Sequence, residues 1–296
     1  MRYGMSYKGS KSRVALEIVN ALPQADCLVD LFGGGGAITH CACLSGKYKK
    51  VIYNELDPVV CKGFKMAVNG EFKNETRWIS RDEFFKLKDV DPYVAICWSF
   101  GNDLKAYLYA PDIEEKKKAL HKAIVFGHYD EMKKYGIDLS CIDEIQDQTK
   151  RRLRAYKEIR KITRQRLELQ SLESLERLKS LESLERLKRL ESLERLEIYN
   201  LDYRQVEIPK NSIIYCDIPY KDTSEYRQVF NHDEFYEWAR KQDNIFISEY
   251  NMPSDFKCVF EIKLNSTLSA TDNSIKRIEK IFTNKSTEFE QQLTLF

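Results

Sequence analysis

The stretch from residue 27 to residue 55 constrains the fold of this chain more than any other. It begins with CLVDLF, an apolar run typical of a buried strand, and the glycine turn GGGG follows directly. A helix of small residues and a second strand-like run, KVIYNE, come next. Strand, loop, helix and strand in this order predict the first unit of a doubly wound α/β sheet.

A similar pattern of strand-like and helix-like segments returns after residue 200. Strands are predicted for NSIIYCD, NIFIS, CVFEIKL and RIEKIFT, and a helix is predicted for residues 232–242. The run at 215–220, YCDIPY, ends its strand with Asp217, Pro219 and Tyr220. Pro219 has no amide hydrogen for the sheet, so the strand must stop there. We therefore expect these side chains at the carboxyl edge, where open α/β sheets bind ligands.

The middle of the chain, roughly residues 85–200, is charge-rich and helical in composition. Residues 150–166 contain nine basic residues and one acid. Five of the basic residues recur at four- and three-residue steps along one helix face: Lys150, Arg154, Lys157, Lys161 and Arg164. A solvated face is the usual role of such a run of charges. The alternative that this basic stripe offers is contact with nucleic-acid phosphates.

Residues 172–197 are three near-copies of a nine-residue leucine repeat, beginning with LESLERLKS. The glutamate and arginine spacing favours a helix, although LERLEIYNL also resembles a strand-forming leucine repeat. Because the copies are nearly identical, none of them supplies a side chain that the other copies lack, as a catalytic or binding site would require. We expect a spacer without chemistry.

The overall charge shows no bias toward a polyanionic partner. Lys and Arg (48) nearly balance Asp and Glu (46), so any nucleic-acid surface must be a local patch. Eight scattered cysteines without a Cys-x-x-Cys pair predict reduced thiols and no metal site. The amino terminus does not resemble a signal peptide, and no apolar run approaches the roughly 20 residues that span a bilayer. We expect a cytoplasmic protein.

The glycine turn and Glu55 together predict a cofactor pocket. A turn without side chains lets a ligand lie against backbone and a helix amino terminus. Glu55 ends the second strand, where a carboxylate can accept the hydroxyls of a ribose. Because G-x-G-x-x-G is absent, the pocket suits a nucleoside-bearing cofactor without a pyrophosphate. For Glu55 alone, a surface acid near Lys49 or Lys50 is the alternative.

These motifs resemble those of the DNA adenine-specific methyltransferases of the Dam type. The likeness includes the glycine loop after D-L-F, the acidic end of the next strand, the D-x-P-Y strand end and YKGSK at 7–11. The motif order is that of the alpha group. The resemblance implies a Rossmann-like S-adenosylmethionine-dependent methyltransferase fold from residues 1–84 and 200–296. It implies an inserted, mainly helical target-recognition domain at 85–199.

The resemblance also assigns residues to the cofactor S-adenosylmethionine. Glu55 is expected on the ribose, Tyr7 and Lys11 over the cofactor, and Asp30 near its methionine end. The glycine loop, its neighbour and the acid of the later strand end complete the predicted cofactor contacts: Phe32, Gly33, Gly34, Gly35, Gly36 and Asp217.

The D-I-P-Y run at 217–220 corresponds to the family's catalytic motif. It implies that Asp217 and the Ile218 carbonyl accept hydrogen bonds from the target amine, while Tyr220 stacks on an adenine flipped out of double-stranded DNA. The family's motif has a proline in place of Ile218, which can still supply a carbonyl before Pro219. The alternatives are a methyltransferase for RNA or a protein amine, and a catalytically silent DNA-binding protein.

Overall fold

The computed structural model describes residues 2–165, 177–220, 230–264 and 277–284. The chain forms two compact units. The first comprises Met1–Met5, Gly9–Val68 and Ser192–Phe296, and the second comprises Ser6–Lys8 and Asn69–Glu191. Apart from the short segment Ser6–Lys8, the chain changes unit at 68/69 and 191/192, whereas the predicted boundaries lie at 84/85 and 199/200. No helix in the described ranges is long and apolar enough to cross a membrane.

The first unit is a seven-stranded sheet with helices. Its strands are β1 (Cys27–Asp30), β2 (Lys50–Asn54), β3 (Leu196–Tyr199), β4 (Ser212–Asp217), β5 (Ile245–Ser248), β6 (Lys257–Leu264) and β7 (Arg277–Thr283). Its helices are α1 (Ala15–Ala21), α2 (Ala37–Ser45), α3 (Pro58–Val68) and α10 (His232–Ala239).

The strand order is β3-β2-β1-β4-β5-β7-β6. The first five strands are parallel, and β7 runs antiparallel to both β5 and β6. This mostly parallel sheet confirms the α/β class that the sequence predicted and is consistent with the predicted Rossmann-like fold. From β1 the chain winds outward through β2 and β3 and then returns to β4 on the other side. The direction of winding thus reverses between the neighbouring strands β1 and β4. At such a topological switch point, ligands bind at the carboxyl ends of the strands.

Apolar side chains on both sheet faces explain why β1 and β4 are central. Leu28 and Ile213 contribute to one buried cluster, while Val29 and Ile214 contribute to the cluster on the opposite face. Strands covered on both faces read as continuous apolar runs. This is the pattern of CLVD and SIIYC.

The second unit contributes six helices in the described residues: α4 (Arg81–Leu87), α5 (Pro92–Cys97), α6 (Pro111–Phe126), α7 (Asp130–Lys134), α8 (Gln148–Gln165) and α9 (Lys179–Lys188). Local signals set two of their starts. The Ser80 hydroxyl accepts the Glu83 amide at the start of α4, and the Glu83 carboxylate accepts the Ser80 amide. Asp91 caps α5, with Pro92 in its first turn.

The leucine repeat adopts two structures. The helix prediction is confirmed for the middle copy, which forms α9 and buries Leu181, Leu184 and Leu187. It is wrong for the end of the last copy, which forms β3 because the edge of β2 offers it a hydrogen-bonding partner. Buried leucines also do not suit the spacer interpretation of the middle copy. Residues 166–176, with most of the first copy, lie outside the described residues.

Candidate active site

Two predicted acids end the two central strands. Asp30 is the last residue of β1 and Asp217 is the last residue of β4. The strands pair in parallel, with Asp30 opposite Tyr215. Because parallel strands end at the same sheet edge, both acids lie at the carboxyl edge of the switch point.

The glycine loop turns the chain from β1 into α2. The Gly33 amide donates to the Asn54 carbonyl at 2.8 Å, and the Gly36 amide donates to the Gly33 carbonyl at 2.6 Å. Gly34 and Gly36 have φ angles of +48° and +64°, in the left-handed region that favours glycine. The backbone thus reverses tightly just before α2 begins.

A stacked aromatic pair supports this loop from within the fold. The Tyr53 and Phe64 rings lie 4.1 Å apart with an interplanar angle of 14°. A Cβ atom at Gly33 would lie 2.2 Å from the Tyr53 ring, and one at Gly36 would lie 2.2 Å from the Phe64 ring. Packing therefore requires these two glycines whether or not a ligand lies against the loop.

The Glu55 carboxylate is tied to the glycine loop. Its Oε2 accepts the Gly34 amide at 2.7 Å and its Oε1 accepts the Asp57 amide at 2.8 Å. Burial raises the pKa of Glu55 to about 7, although the two amide hydrogen bonds favour the charged form. The neighbouring Lys49 and Lys50 pair with other acids, so the surface-acid alternative for Glu55 is wrong.

Asp30 links β1 to the first turns of α2. Its Oδ2 accepts the Thr39 amide at 3.2 Å and the Thr39 hydroxyl at 2.7 Å. Burial raises the pKa of Asp30 to about 7, against the effect of those hydrogen bonds. A proton therefore binds here near neutral pH.

Phe32 stands at the start of the glycine loop in an aromatic cluster. Its ring centroid lies 5.4 Å from that of Tyr203, 5.6 Å from Phe230 and 5.7 Å from Phe235. The ring is half-buried. The cluster fixes one apolar surface beside the loop.

The D-I-P-Y strand end is held by one lysine and one further acid. Lys11 Nζ lies 2.5 Å from Asp217 Oδ1, 2.7 Å from the Tyr220 hydroxyl and 3.3 Å from Glu279 Oε1. The Tyr220 hydroxyl in turn donates to Glu279 Oε1 at 2.5 Å. Lys11, Asp217, Tyr220 and Glu279 form a closed network, which we call the edge network.

Burial and the paired charges act against each other on the pKa values of the edge network. Burial raises the pKa of Asp217 to about 6; the Lys11 ammonium opposes this shift and the Glu279 carboxylate adds to it. Burial alone would lower the pKa of Lys11, but Asp217 and Glu279 outweigh it and the pKa is raised. Lys11 therefore remains an ammonium ion, while Asp217 gains or loses its proton close to pH 6.

The middle of the motif is anchored from both sides. The Ile218 side chain is buried in a core cluster that also contains Phe235. His232 Nε2 donates to the Pro219 carbonyl at 2.7 Å. The backbone that presents Asp217 and Tyr220 is thus fixed by packing and by a hydrogen bond from the start of α10.

Sequence reasoning missed Glu279 and His232. Glu279 alternates with Ile278 and Lys280 in RIEKIFT, and this alternation places it on the same face as the buried Ile281. An acid on the buried face of a strand was the available signal. His232 followed an Asn cap and gave no comparable signal.

The predicted basic stripe lies on α8. All five of its side chains are exposed, while Arg152, Ala155 and Ile159 face inward. Arg154 also pairs with Glu158 at 2.8 Å. The structure therefore brings the stripe onto one face, and contact with DNA remains a prediction.

Tyr7 differs from the other predicted cofactor residues because it belongs to the second unit. The Lys8 amide donates to the Asn102 carbonyl at 3.1 Å, and the Ser183 hydroxyl donates to the Ser6 hydroxyl at 2.9 Å. These bonds hold the short segment Ser6–Lys8 within that unit.

All eight cysteines are free thiols, five of them buried. Burial raises the pKa of Cys41 and of Cys61 to about 11, so both stay protonated at neutral pH. Across the described ranges, no group of three or more His, Cys, Asp or Glu side chains is arranged to hold a metal ion.

The family of D12 class N6 adenine-specific DNA methyltransferases matches residues 7–292, which covers both compact units. No curated protein matches the chain. The matched span includes the glycine loop, Glu55 and the edge network.

Proposed function

The chain belongs to the D12 class N6 adenine-specific DNA methyltransferases and therefore methylates adenine N6 in DNA; from this premise we propose how its residues divide the work. The observation that carries the proposal is the meeting of Asp217 with the glycine loop at one sheet edge, because methyl transfer needs a cofactor and a target amine side by side.

The proposed cofactor is S-adenosylmethionine, held at the glycine loop. Glu55 fits this task because its two amide hydrogen bonds leave further acceptor positions on the carboxylate for ribose hydroxyls. Phe32 offers an apolar ring beside the loop, and Asp30 and Tyr7 keep their predicted contacts. When bound, this cofactor supplies a methyl group activated by a sulfonium charge.

Asp217 is the proposed catalytic acid. The N6 amine of adenine is a poor nucleophile, since its lone pair is delocalised into the ring. Hydrogen bonds from that amine to the Asp217 carboxylate and the Ile218 carbonyl favour a tetrahedral nitrogen with its lone pair directed outward. As the N–C bond forms, nitrogen must lose a proton, and an Asp217 carboxylate with a pKa of about 6 can accept it near neutral pH.

Tyr220 is the proposed stacking surface for the flipped adenine. Its hydroxyl is anchored between Lys11 and Glu279, which fixes the position of the outer end of the ring. Pro219, held by His232, keeps this ring at a constant distance from Asp217. Lys11 is therefore proposed to orient the catalytic motif in addition to its predicted contact with the cofactor.

The second unit is proposed to be the target-recognition domain, with double-stranded DNA as the partner. Of the predicted range 85–199, residues 192–199 belong to the first unit instead, because β3 joins its sheet. The support for the proposal is the exposed stripe on α8, where five cations point away from the packed face. The cytoplasmic location and the recognised sequence stay predictions.

The test is methylation of plasmid DNA by the purified protein, with and without S-adenosylmethionine. Nucleoside analysis after digestion should show N6-methyladenine only when both are present, and sequencing of the methylated DNA should give the recognised site. Methyl groups appearing on cytosine, on RNA or on protein would contradict the assignment. Normal cofactor binding with no transfer to any DNA would favour the silent DNA-binding alternative.

A further inference from the structure

The second unit contains a cavity of about 580 Å³ that the proposed function has not used. It lies between the first turns of α4, α6 and α9 and is closed on one side by residues 106–110. Four of its lining residues are cationic, and none of the lining residues is an acid: Arg81, Lys117, Arg177 and Lys179. The volume suits a ligand of nucleotide size.

The cations of the cavity are only partly neutralised. Arg81 lies 3.5 Å from Glu114, and Arg177 lies 2.5 Å from Glu182. Lys179 forms no ion pair with any residue that the structure describes.

The environment of Lys117 indicates that the electrostatic potential in the cavity is positive. It is 3% exposed, and its Nζ donates to the Arg177 carbonyl at 2.6 Å. Burial, with the nearby charge of Lys179, lowers the pKa of Lys117 to about 8. A bound anion would offset that cost, because it would stabilise both ammonium groups. The backbone amides at the starts of α6 and α9 favour the same charge, although Glu114 and Glu182 in these first turns oppose it.

An exposed aromatic ring stands at the same cavity. Phe100 is 57% exposed, and Lys179 Nζ lies 5.8 Å from its ring centroid. Tyr107 and Tyr109, by contrast, are buried in the wall and hydrogen-bonded through their hydroxyls. An apolar ring left in solvent beside a cation is the arrangement that proteins use to stack an unpaired base and hold its phosphate.

We propose that this cavity binds one unstacked nucleotide of the DNA substrate, with its phosphate among Lys117, Arg177 and Lys179 and its base on Phe100. The proposal rests on the proposed function only in naming DNA as the source of the nucleotide. A small anion without a ring would use the lysines and leave Phe100 without a role. A free nucleotide would use both, so the test must separate it from DNA.

The experiment measures binding of a fluorescently labelled duplex by anisotropy, over a series of salt concentrations. The variants are Phe100→Ala and Lys179→Ala. Their matched controls are Phe85→Ala, an equally exposed ring (52%) on α4, and Lys133→Ala on α7. Titrations with deoxyadenosine monophosphate and with inorganic phosphate form the second arm.

The proposal expects Phe100→Ala to weaken DNA binding about tenfold, as for loss of one base stack. Lys179→Ala should reduce the slope of log affinity against log salt by about one. Both controls should behave as wild type. A thermal melt separates loss of fold from loss of contact, and the exposed Lys179 provides the decisive variant if Phe100→Ala unfolds.

Other outcomes would overturn the proposal. Equal affinity and equal slope in both variants and both controls would show that DNA does not use the cavity. Micromolar binding of the free monophosphate, lost in Phe100→Ala while DNA affinity stays normal, would assign the cavity to a small molecule. Binding of inorganic phosphate alone, insensitive to Phe100→Ala, would remove the base from the site. Because these are binding measurements, they stand even if the plasmid assay shows no methylation.

Discussion

The two compact units both concentrate charge, but with opposite sign and opposite exposure. The sheet edge of the first unit gathers carboxyl groups that are largely withdrawn from water, and burial raises the pKa values of Asp30 and Glu55 to about 7 and that of Asp217 to about 6. The helices of the second unit present exposed cations on α8, and the cavity adds Arg177 and Lys179, which are also exposed. The difference predicts two kinds of response to mutation.

A buried carboxyl group acts through its geometry and its protonation state. Replacing it should therefore greatly reduce one property, either cofactor affinity or turnover. An exposed cation contributes to DNA affinity through counterion release. Replacing one such cation should therefore reduce DNA affinity only slightly, and the effects of several replacements should add. The following predictions test this contrast.

The largest effect is expected at Asp217. Asp217→Asn keeps the size of the side chain but removes the proton acceptor, and the turnover for methylation should fall by about a hundredfold or more. Cofactor affinity should change little. The measurement is a single-turnover methylation assay beside calorimetry, with Asp26→Asn as control because Asp26 pairs with Lys49 on the surface. Turnover within twofold of wild type would remove Asp217 from catalysis.

The edge network should set the acid limb of the pH profile. Asp217 must be deprotonated to accept a proton, so turnover should fall about tenfold per pH unit below pH 6. Glu279→Gln removes a carboxylate that raises the pKa of Asp217, and the limb should move to lower pH. Lys11→Met removes the ammonium that lowers it, and the limb should move to higher pH. Movement of both variants in the same direction would contradict this account.

Glu55 should govern affinity for S-adenosylmethionine. Glu55→Gln should weaken binding about tenfold at pH 8, where the carboxyl group is charged, since a hydrogen bond to a charged group contributes roughly 1.5 to 3 kcal/mol. Glu197→Gln is the matched control, because Glu197 pairs with Lys50 outside the loop. Calorimetry that gives one affinity for both variants would exclude Glu55 from the cofactor site.

The smallest effect is expected on α8. Replacing Lys157 and Lys161 by alanine should weaken binding to every DNA sequence severalfold and reduce the salt slope by about two. Replacing Lys133 and Lys134 on α7 controls for the change in net charge. An unchanged slope would return the stripe to a solvated face, and altered site preference would show contact with bases.

The sequence predicted the parts of the site that depend on neighbours along the chain. Pro219 ends β4, and this alone places Asp217 at the sheet edge. The position of Glu279 could not be predicted, because Glu279 is 59 residues further along the chain than Tyr220. Only the pairing of β7 with β5 brings the two side chains together. For β3 the sequence left two structures open, because LERLEIYNL resembles a strand-forming repeat while its neighbouring copies favour a helix. Only the pairing with the edge of β2 decides between them.

The packing of Tyr53 and Phe64 beneath the glycine loop changes how natural variation in such loops should be read. Invariance of Gly33 and Gly36 among relatives would follow from the two rings alone, because any side chain there would collide with them. A catalogue of tolerated substitutions at these positions therefore reports on folding and is silent about the cofactor. Evolutionary tuning of cofactor affinity has to act through other positions, such as Glu55, whose carboxylate contacts the loop from just beyond β2.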